Sequence, residues 1–223
     1  MGVPPDPGAV LVLHAAGAFC AARVEAGALC AERAVPMARG HAEALPGVVA
    51  SVVEEIALEP RDLSLVAACV GPGSFAGARV GVAFARGLAL AAGLRAIGIN
   101  DLDALALDAD PERVLEVFCV HDAKRGDAVW RRYASGVPTG DITRGRLDEA
   151  EAEARAAGPD VLAGTGAVAI AEAAPDARIV SSPRPPLAAM CELARAAPAD
   201  AGPPAPFYAR KPDAALPADA ARR

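Results

Sequence analysis

A buried strand, a tight glycine turn and a helix start follow one another between residues 65 and 93, and this order constrains the fold most. Residues 65–70 (Leu-Val-Ala-Ala-Cys-Val) are wholly apolar, which is typical of a strand covered on both faces. Gly71 and Gly73 permit a turn that other residues would strain, and Ser74 predicts a helix N-cap. The pattern indicates an α/β protein.

The helix predicted after this turn carries a small residue at every fourth position. Residues four apart share one helix face, so these residues let another backbone come close. Because glycine inside a helix costs about 0.5–1 kcal/mol relative to alanine, such a face predicts a close contact. Two interpretations stay open, packing on the chain's own sheet and packing on another subunit. We call this face the small-residue stripe: Gly73, Gly77, Gly81, Ala85, Ala89 and Gly93.

Composition narrows the function classes. The 223 residues are 53% apolar and carry a net charge of −6, which argues against a stand-alone nucleic-acid binder. The five cysteines are scattered without a Cys-x-x-Cys pair, so neither a disulfide framework nor a zinc site is predicted. The N-terminus lacks the pattern of a signal peptide, and Arg79 and Arg86 interrupt the apolar helix. A cytoplasmic protein without a membrane span is therefore expected.

The order of strands and helices is predicted to occur twice. A strand ending at His14 leads into a hairpin, and after residue 108 a strand ending near His121 and Asp122 leads into a second hairpin. The sequence predicts two related α/β lobes, 1–108 and 109–211, with helices at 147–157 and 167–174 in the second. Residues 212–223, rich in proline and alanine, are predicted to be a disordered tail.

Motifs in five places resemble those of the TsaB (YeaZ) family. The most specific is Gly71–Gly81, which is similar to GPGSFTGLRIG with Ala76 in place of threonine. The four others follow in the family's order and spacing. They are 39–45 (similar to R-x-H-S-E-x-L), 98–105 (GVSSLEAL), 122–126 (DARRGE) and 206–210 (P-x-Y-L-R).

The resemblance implies an ASKHA fold, actin-like and RNase H-like, with two lobes built on mixed central sheets flanked by helices. It implies a non-catalytic role in making threonylcarbamoyladenosine (t6A) in tRNA, as the partner of a TsaD-like transferase in a heterodimer. It also implies contact with a TsaE-like ATPase, a possible homodimer, and tRNA binding only through the complex. No cofactor is expected on this chain, because ATP and metal would lie on the partner subunit.

The resemblance also implies which residues serve these roles. It places the partner interface on the helices around the glycine signature (residues 71–81). The implied interface residues are Ser74, Phe75, Gly77, Ala78, Arg79, Gly81, Ala85, His41 and Leu45. Candidates for nucleotide contact are Asp122, Gly164 and Gly166, each with the alternative of a structural turn residue.

The chemistry of the residues favours a non-enzyme. His14 stands where the family often has an aspartate, and imidazole cannot replace a hard oxygen ligand of Mg²⁺. His41 is followed four residues later by Leu45, so the His-x-x-x-His metal motif is missing, and no catalytic or metal-binding residue is predicted. Two alternatives remain: a stand-alone ASKHA phosphotransferase or peptidase-like enzyme, and a divergent relative that has lost the complex.

Overall fold

The computed structural model describes residues 8–182 and 184–209. Arg210 of the terminal motif, the predicted tail 212–223 and the first seven residues lie outside these ranges. Two mixed sheets, each with helical segments against it, account for the described chain, as the sequence predicts.

The first sheet has five strands in the spatial order β3-β2-β1-β4-β5. β1 is antiparallel to β2 and parallel to β4, and β5 is parallel to β4. The strands are β1 (Ala9–His14), β2 (Phe19–Ala26), β3 (Leu29–Pro36), β4 (Leu63–Gly71) and β5 (Arg95–Asn100). β1 and β4 are buried along almost their whole length, because helices cover both faces of the sheet at its centre.

Two helices lie on each face of this sheet. α1 (His41–Glu55) and α2 (Phe75–Ala92) pack on one face, where Leu45, Val52 and Val82 meet Leu11 and Leu13. α3 (Asp101–Ala109) and α5 (Leu187–Ala196) pack on the other face, where Met190 joins Val12. The three- and four-residue spacing of apolar residues in α1 predicts its buried side.

The second sheet repeats the topology of the first. Its order is β11-β10-β6-β7-β8, and β9 also pairs with β7. The strands are β6 (Glu116–Lys124), β7 (Asp127–Ala134), β8 (Val137–Pro138), β9 (Thr143–Arg146), β10 (Val161–Ala163) and β11 (Arg178–Val180). β6 is antiparallel to β7 and parallel to β10, as β1 is to β2 and β4. The prediction of two related lobes is confirmed.

The second lobe differs from the prediction in local detail. α4 (Leu147–Ala157) has the predicted bounds, and Trp130 from β7 donates a hydrogen bond of 2.7 Å to Glu153 on it. Residues Ala167–Ala173 form 3-10 turns instead of the predicted α-helix, and β8 and β9 were not predicted.

The two lobes in space do not match the two predicted segments of the sequence, 1–108 and 109–211. Helix α5 falls inside the predicted second lobe, 109–211, yet Leu187, Met190 and Ala194 are buried against the first sheet. Helix α3 packs on α5 and on β6, so it lies between the two sheets. The C-terminal part of the chain therefore returns to the first lobe.

Candidate partner interface and interlobe cleft

The small-residue stripe faces the chain's own backbone. A Cβ atom added at Gly73 would lie 3.0 Å from the carbonyl carbon of Ala16, and one at Gly77 would lie 3.0 Å from that of Ala15. The N–H of Ser74 donates to the carbonyl of Ala16 at 2.6 Å. The turn after β1 thus rests on the first turns of α2, and only glycine leaves room for it.

This packing bears on the predicted interface, which stays a prediction. Four of the implied contact residues on α2 are buried within the chain, as are two on α1, so they offer a partner little accessible surface. These residues are Gly77, Ala78, Gly81, Ala85, His41 and Leu45. Of the implied set, the remaining three, Ser74, Phe75 and Arg79, are exposed. The stripe therefore packs within the chain at Gly73 and Gly77, as the first of the two interpretations has it, whereas Gly93 at its other end is exposed.

The opposite side of α2 is exposed and carries no charge. Leu90 is 87% exposed, and a Cβ atom added at Gly87 would meet nothing within 4 Å. Five exposed residues lie on this side, and we call them the outer face of α2: Ala76, Ala83, Gly87, Leu90 and Ala91. At about 100° per residue they share one helix face, and Arg79 and Arg86 lie along one of its edges.

Helix α1 extends this surface of small side chains. It packs beside α2 on the same face of the sheet, and its exposed residues include Pro46, Gly47 and Ala50. Glu43 and Glu54 lie exposed toward its two ends. Small side chains on both helices leave their backbones accessible to a helix from another molecule.

An aromatic and arginine cluster closes the N-terminal end of α2. The Arg79 guanidinium lies 3.8 Å from the centre of the Phe75 ring, and its Nε donates to the Tyr208 hydroxyl at 2.9 Å. The Phe75 and Tyr208 rings are 4.6 Å apart. Ser74 caps the helix by accepting a hydrogen bond from Gly77 N–H at 3.2 Å. Two of the exposed interface candidates, Phe75 and Arg79, thus already contact the chain's own C-terminal segment.

That segment, residues 204–209, joins the two lobes. Phe207 N–H donates to the carbonyl of Val70 in β4 at 2.8 Å. The guanidinium of Arg144, in β9 of the second lobe, lies 4.0 Å from the centre of the Phe207 ring, and its Nε donates to the Tyr208 carbonyl at 3.0 Å. The terminal motif recognised in the sequence therefore has an internal role.

Replacing Phe207 with alanine is expected to destabilise the chain by about 2 kcal/mol, since a half-buried ring and a cation–π contact are lost. The N–H of residue 207 should also exchange with deuterium faster. Urea denaturation and hydrogen exchange measure the two effects. Val137→Ala, at an exposed strand position, is the control and should change stability by less than about 0.5 kcal/mol. Equal stability of Phe207→Ala and the parent chain would show that the segment is not anchored.

Three side chains meet where β1, β4 and β5 end. His14 closes β1, Cys69 lies near the end of β4, and Asp101 follows β5 as the first residue of α3. His14 Nε2 is 3.2 Å from Asp101 Oδ1. Burial lowers the pKa of His14, but Cys69 and Asp101 outweigh it, so the pKa stands well above its usual value. Burial raises the pKa of the Cys69 thiol. Where the family often has an aspartate at the end of β1, this chain therefore has a buried imidazole, His14, which pairs with the carboxylate of Asp101.

The nucleotide-contact candidates lie together at the equivalent edge of the second sheet. Asp122 accepts hydrogen bonds from the N–H and the ammonium group of Lys124 at 2.7 and 2.8 Å, and its own N–H donates to Thr165 at 3.0 Å. A Cβ atom at Gly164 would lie 2.5 Å from the carbonyl oxygen of Val120, and one at Gly166 would lie 2.9 Å from a methyl group of Val120. Both glycines therefore serve packing against β6, and nucleotide contact stays a prediction.

Sequence reasoning missed Asp101 and Tyr208. Asp101 is the third residue in which segment 98–105 departs from the GVSSLEAL pattern, at a position where that pattern has serine. This departure, read together with His14, could have suggested the pair. No pattern in the sequence linked Tyr208 to Arg79, 129 residues away.

Comparisons with known proteins agree with this architecture. The sequence model of the family TsaD, tRNA N6-adenosine threonylcarbamoyltransferase, matches residues 35–192. An uncharacterized protein of Mycobacterium tuberculosis is 35% identical over 108 residues, 48% of this chain and 49% of that protein. The Escherichia coli tRNA threonylcarbamoyladenosine biosynthesis protein TsaB is 32% identical over 96 residues, 43% of this chain and 42% of TsaB. The match thus spans about half the length of these relatives or less.

A solved structure shows the same fold. It is an uncharacterized protein with similarity to peptidase YeaZ from Pseudomonas aeruginosa, 23% identical, with a TM-score of 0.71 over 85% of this chain and 92% of that one. Two sheets of repeated topology define a protein of the ASKHA, or actin-like, class. Within this class the chain belongs to the family of the TsaD model, which matches more than half of it, and the predicted resemblance to TsaB (YeaZ) is confirmed.

Helix α2 is also notable for its length and hydropathy. Among the helices of residues 8–182 and 184–209, it alone is long and apolar enough to cross a membrane, with 18 residues and a mean hydropathy of 1.3. This criterion rests on length and composition, and core helices of globular proteins also meet it. One side of α2 is packed on the first sheet, so the criterion does not by itself indicate a membrane protein.

Proposed function

We propose that this chain is a non-catalytic subunit of the machinery that makes threonylcarbamoyladenosine in tRNA, and that it binds a TsaD-like transferase. The observation that carries the proposal is the exposed, uncharged outer face of α2, which continues onto α1. Apolar helix faces of this kind, bordered by charged residues, are typical of protein–protein contacts. The likeness to TsaB supports the pathway.

The chemistry of the cleft supports a non-catalytic role. At the end of β1 the chain has buried His14 paired with Asp101 in place of a carboxylate open to a metal-bound nucleotide. At the matching edge of the second sheet, the Asp122 carboxylate is bonded to Lys124. ATP and the catalytic metal are therefore expected on the partner, and tRNA is expected to be bound by the complex.

The docking surface proposed differs from the one the sequence implied. The small-residue stripe packs within the chain at Gly73 and Gly77, so the outer face of α2 and the exposed side of α1 take its place. The same surface could pair two copies of this chain, as a homodimer that competes with the heterodimer. A TsaE-like ATPase would then join only the heterodimer.

Mixing the purified chain with the TsaD-like protein of the same organism is expected to give a one-to-one complex in size-exclusion chromatography with light scattering. The sample should be tested with and without ATP and the TsaE-like protein. Transfer of threonylcarbamoyl to tRNA by the TsaD-like protein should then depend on this chain. Separate peaks under all conditions, with unchanged transfer, would contradict the proposal and direct attention to an independent ASKHA enzyme activity.

A further inference from the structure

The edge of the first sheet where β1, β4 and β5 end holds three metal-binding side chains of different kinds. His14, Cys69 and Asp101 each offer one ligand atom, and these atoms all lie within 4.8 Å of one another. The three strands are neighbours and parallel, so their carboxyl ends bring the residues together from distant parts of the sequence. This edge is where α/β sheets usually bind ligands.

The spacing approaches that of a tetrahedral site. With metal–ligand bonds of about 2.0–2.3 Å, the ligand atoms of a tetrahedral zinc site lie about 3.3–3.8 Å apart. His14 Nε2 and Asp101 Oδ1 are already 3.2 Å apart. Side-chain movements of an ångström or less would bring the third atom into range.

The donor set selects the kind of metal. An imidazole nitrogen, a thiolate and a carboxylate suit zinc and similar transition metals, whereas Mg²⁺ and Ca²⁺ require oxygen ligands. We propose that this chain binds one Zn²⁺ ion, or a transition metal of the same class, through His14, Cys69 and Asp101. The ion would lie at His14, the residue whose imidazole cannot replace an oxygen ligand of Mg²⁺.

The surroundings fit a bound ion. His14 and Cys69 are buried, while the Asp101 side chain is 14% exposed, so the ion could enter from the side of Asp101. Of the two ring nitrogens of His14, Nε2 is the one that faces Asp101 and would be the ligand atom. Three protein ligands leave a fourth position for water or for a group from another molecule.

Metal titration of the full chain, reduced and stripped with a chelator, tests the site without any partner. Equilibrium dialysis with Zn²⁺ and elemental analysis should give one ion per chain. Co²⁺ should produce a thiolate-to-cobalt absorption band that Zn²⁺ removes. Cys69→Ser and Asp101→Asn should each weaken binding at least 10-fold, and the cobalt band should vanish in Cys69→Ser. Cys30→Ser, at the exposed cysteine of β3, is the matched control and should bind as the parent does.

Two results would overturn the proposal. One is the absence of stoichiometric binding, which would leave a buried imidazole–carboxylate pair without a metal. The other is equal binding by Asp101→Asn and the parent chain, which would assign the metal to other cysteines. Asp101→Asn preserves side-chain volume at a partly exposed position, so it carries the test even if Cys69→Ser does not fold. Because only this chain is used, failure here is independent of whether the transferase binds.

Discussion

Replacing Gly77 with alanine is expected to destabilise the chain by about 3 kcal/mol or more. The added methyl group would collide with the carbonyl group of Ala15, which is backbone and cannot rotate away. Either the turn after β1 or the start of α2 must move, and the two residues in contact, Ala15 and Gly77, are both buried. Urea denaturation followed by circular dichroism measures the change in the free energy of unfolding.

A second glycine of the same helix provides the control. Gly87 faces solvent, and nothing lies within 4 Å of a Cβ atom built there. Gly87→Ala should therefore stabilise the chain by about 0.5–1 kcal/mol, through helix propensity alone. The two substitutions are chemically identical, and their effects should have opposite signs. If Gly77→Ala were as stable as the parent chain, the close contact between α2 and Ala15 would be wrong.

Replacing Leu90 with glutamate is expected to weaken the complex with the TsaD-like transferase at least 100-fold. Leu90 is 87% exposed on the outer face of α2, so the free chain should fold normally. In the proposed complex the same position is buried, and a carboxylate there would be desolvated without a partner. Isothermal titration calorimetry with the transferase gives the change in Kd.

The matched control for this experiment lies in the second lobe. Val168 is also apolar and 66% exposed, but it is outside the proposed docking surface. Val168→Glu should leave the Kd unchanged. Undiminished binding by Leu90→Glu would move the interface away from the outer face of α2, while leaving open that the complex forms through another surface.

The sequence predicts the parts of this fold that depend on local pattern. The apolar run before Gly71 is strand β4, and the spacing of Leu45, Val48, Val49 and Val52 marks the buried side of α1. Leu147–Ala157 forms a helix with the predicted ends, since Gly158 stops it. In each case neighbouring residues alone determine the element.

What local pattern could not supply is long-range contact. β8 has two residues and β9 is polar, so neither resembles a buried strand, and both are fixed by pairing with β7. The side to which the small-residue stripe turns was undetermined, because periodicity shows that residues share a face but does not show what covers it. The same limit applies to His14 and Asp101, which only the pairing of β1, β4 and β5 brings together.

The segment 204–209 also affects how readily the protein can assemble. Phe207 and Tyr208 are bonded to the first lobe through Val70 and Arg79, and to the second through Arg144. Asp103 on α3 accepts further hydrogen bonds from Arg131 and Tyr133 of β7. Because these hydrogen bonds already hold the two lobes together, the chain has little internal freedom to lose when a partner binds. The conformational part of the entropic cost of association should accordingly be small, as for a preorganised ligand.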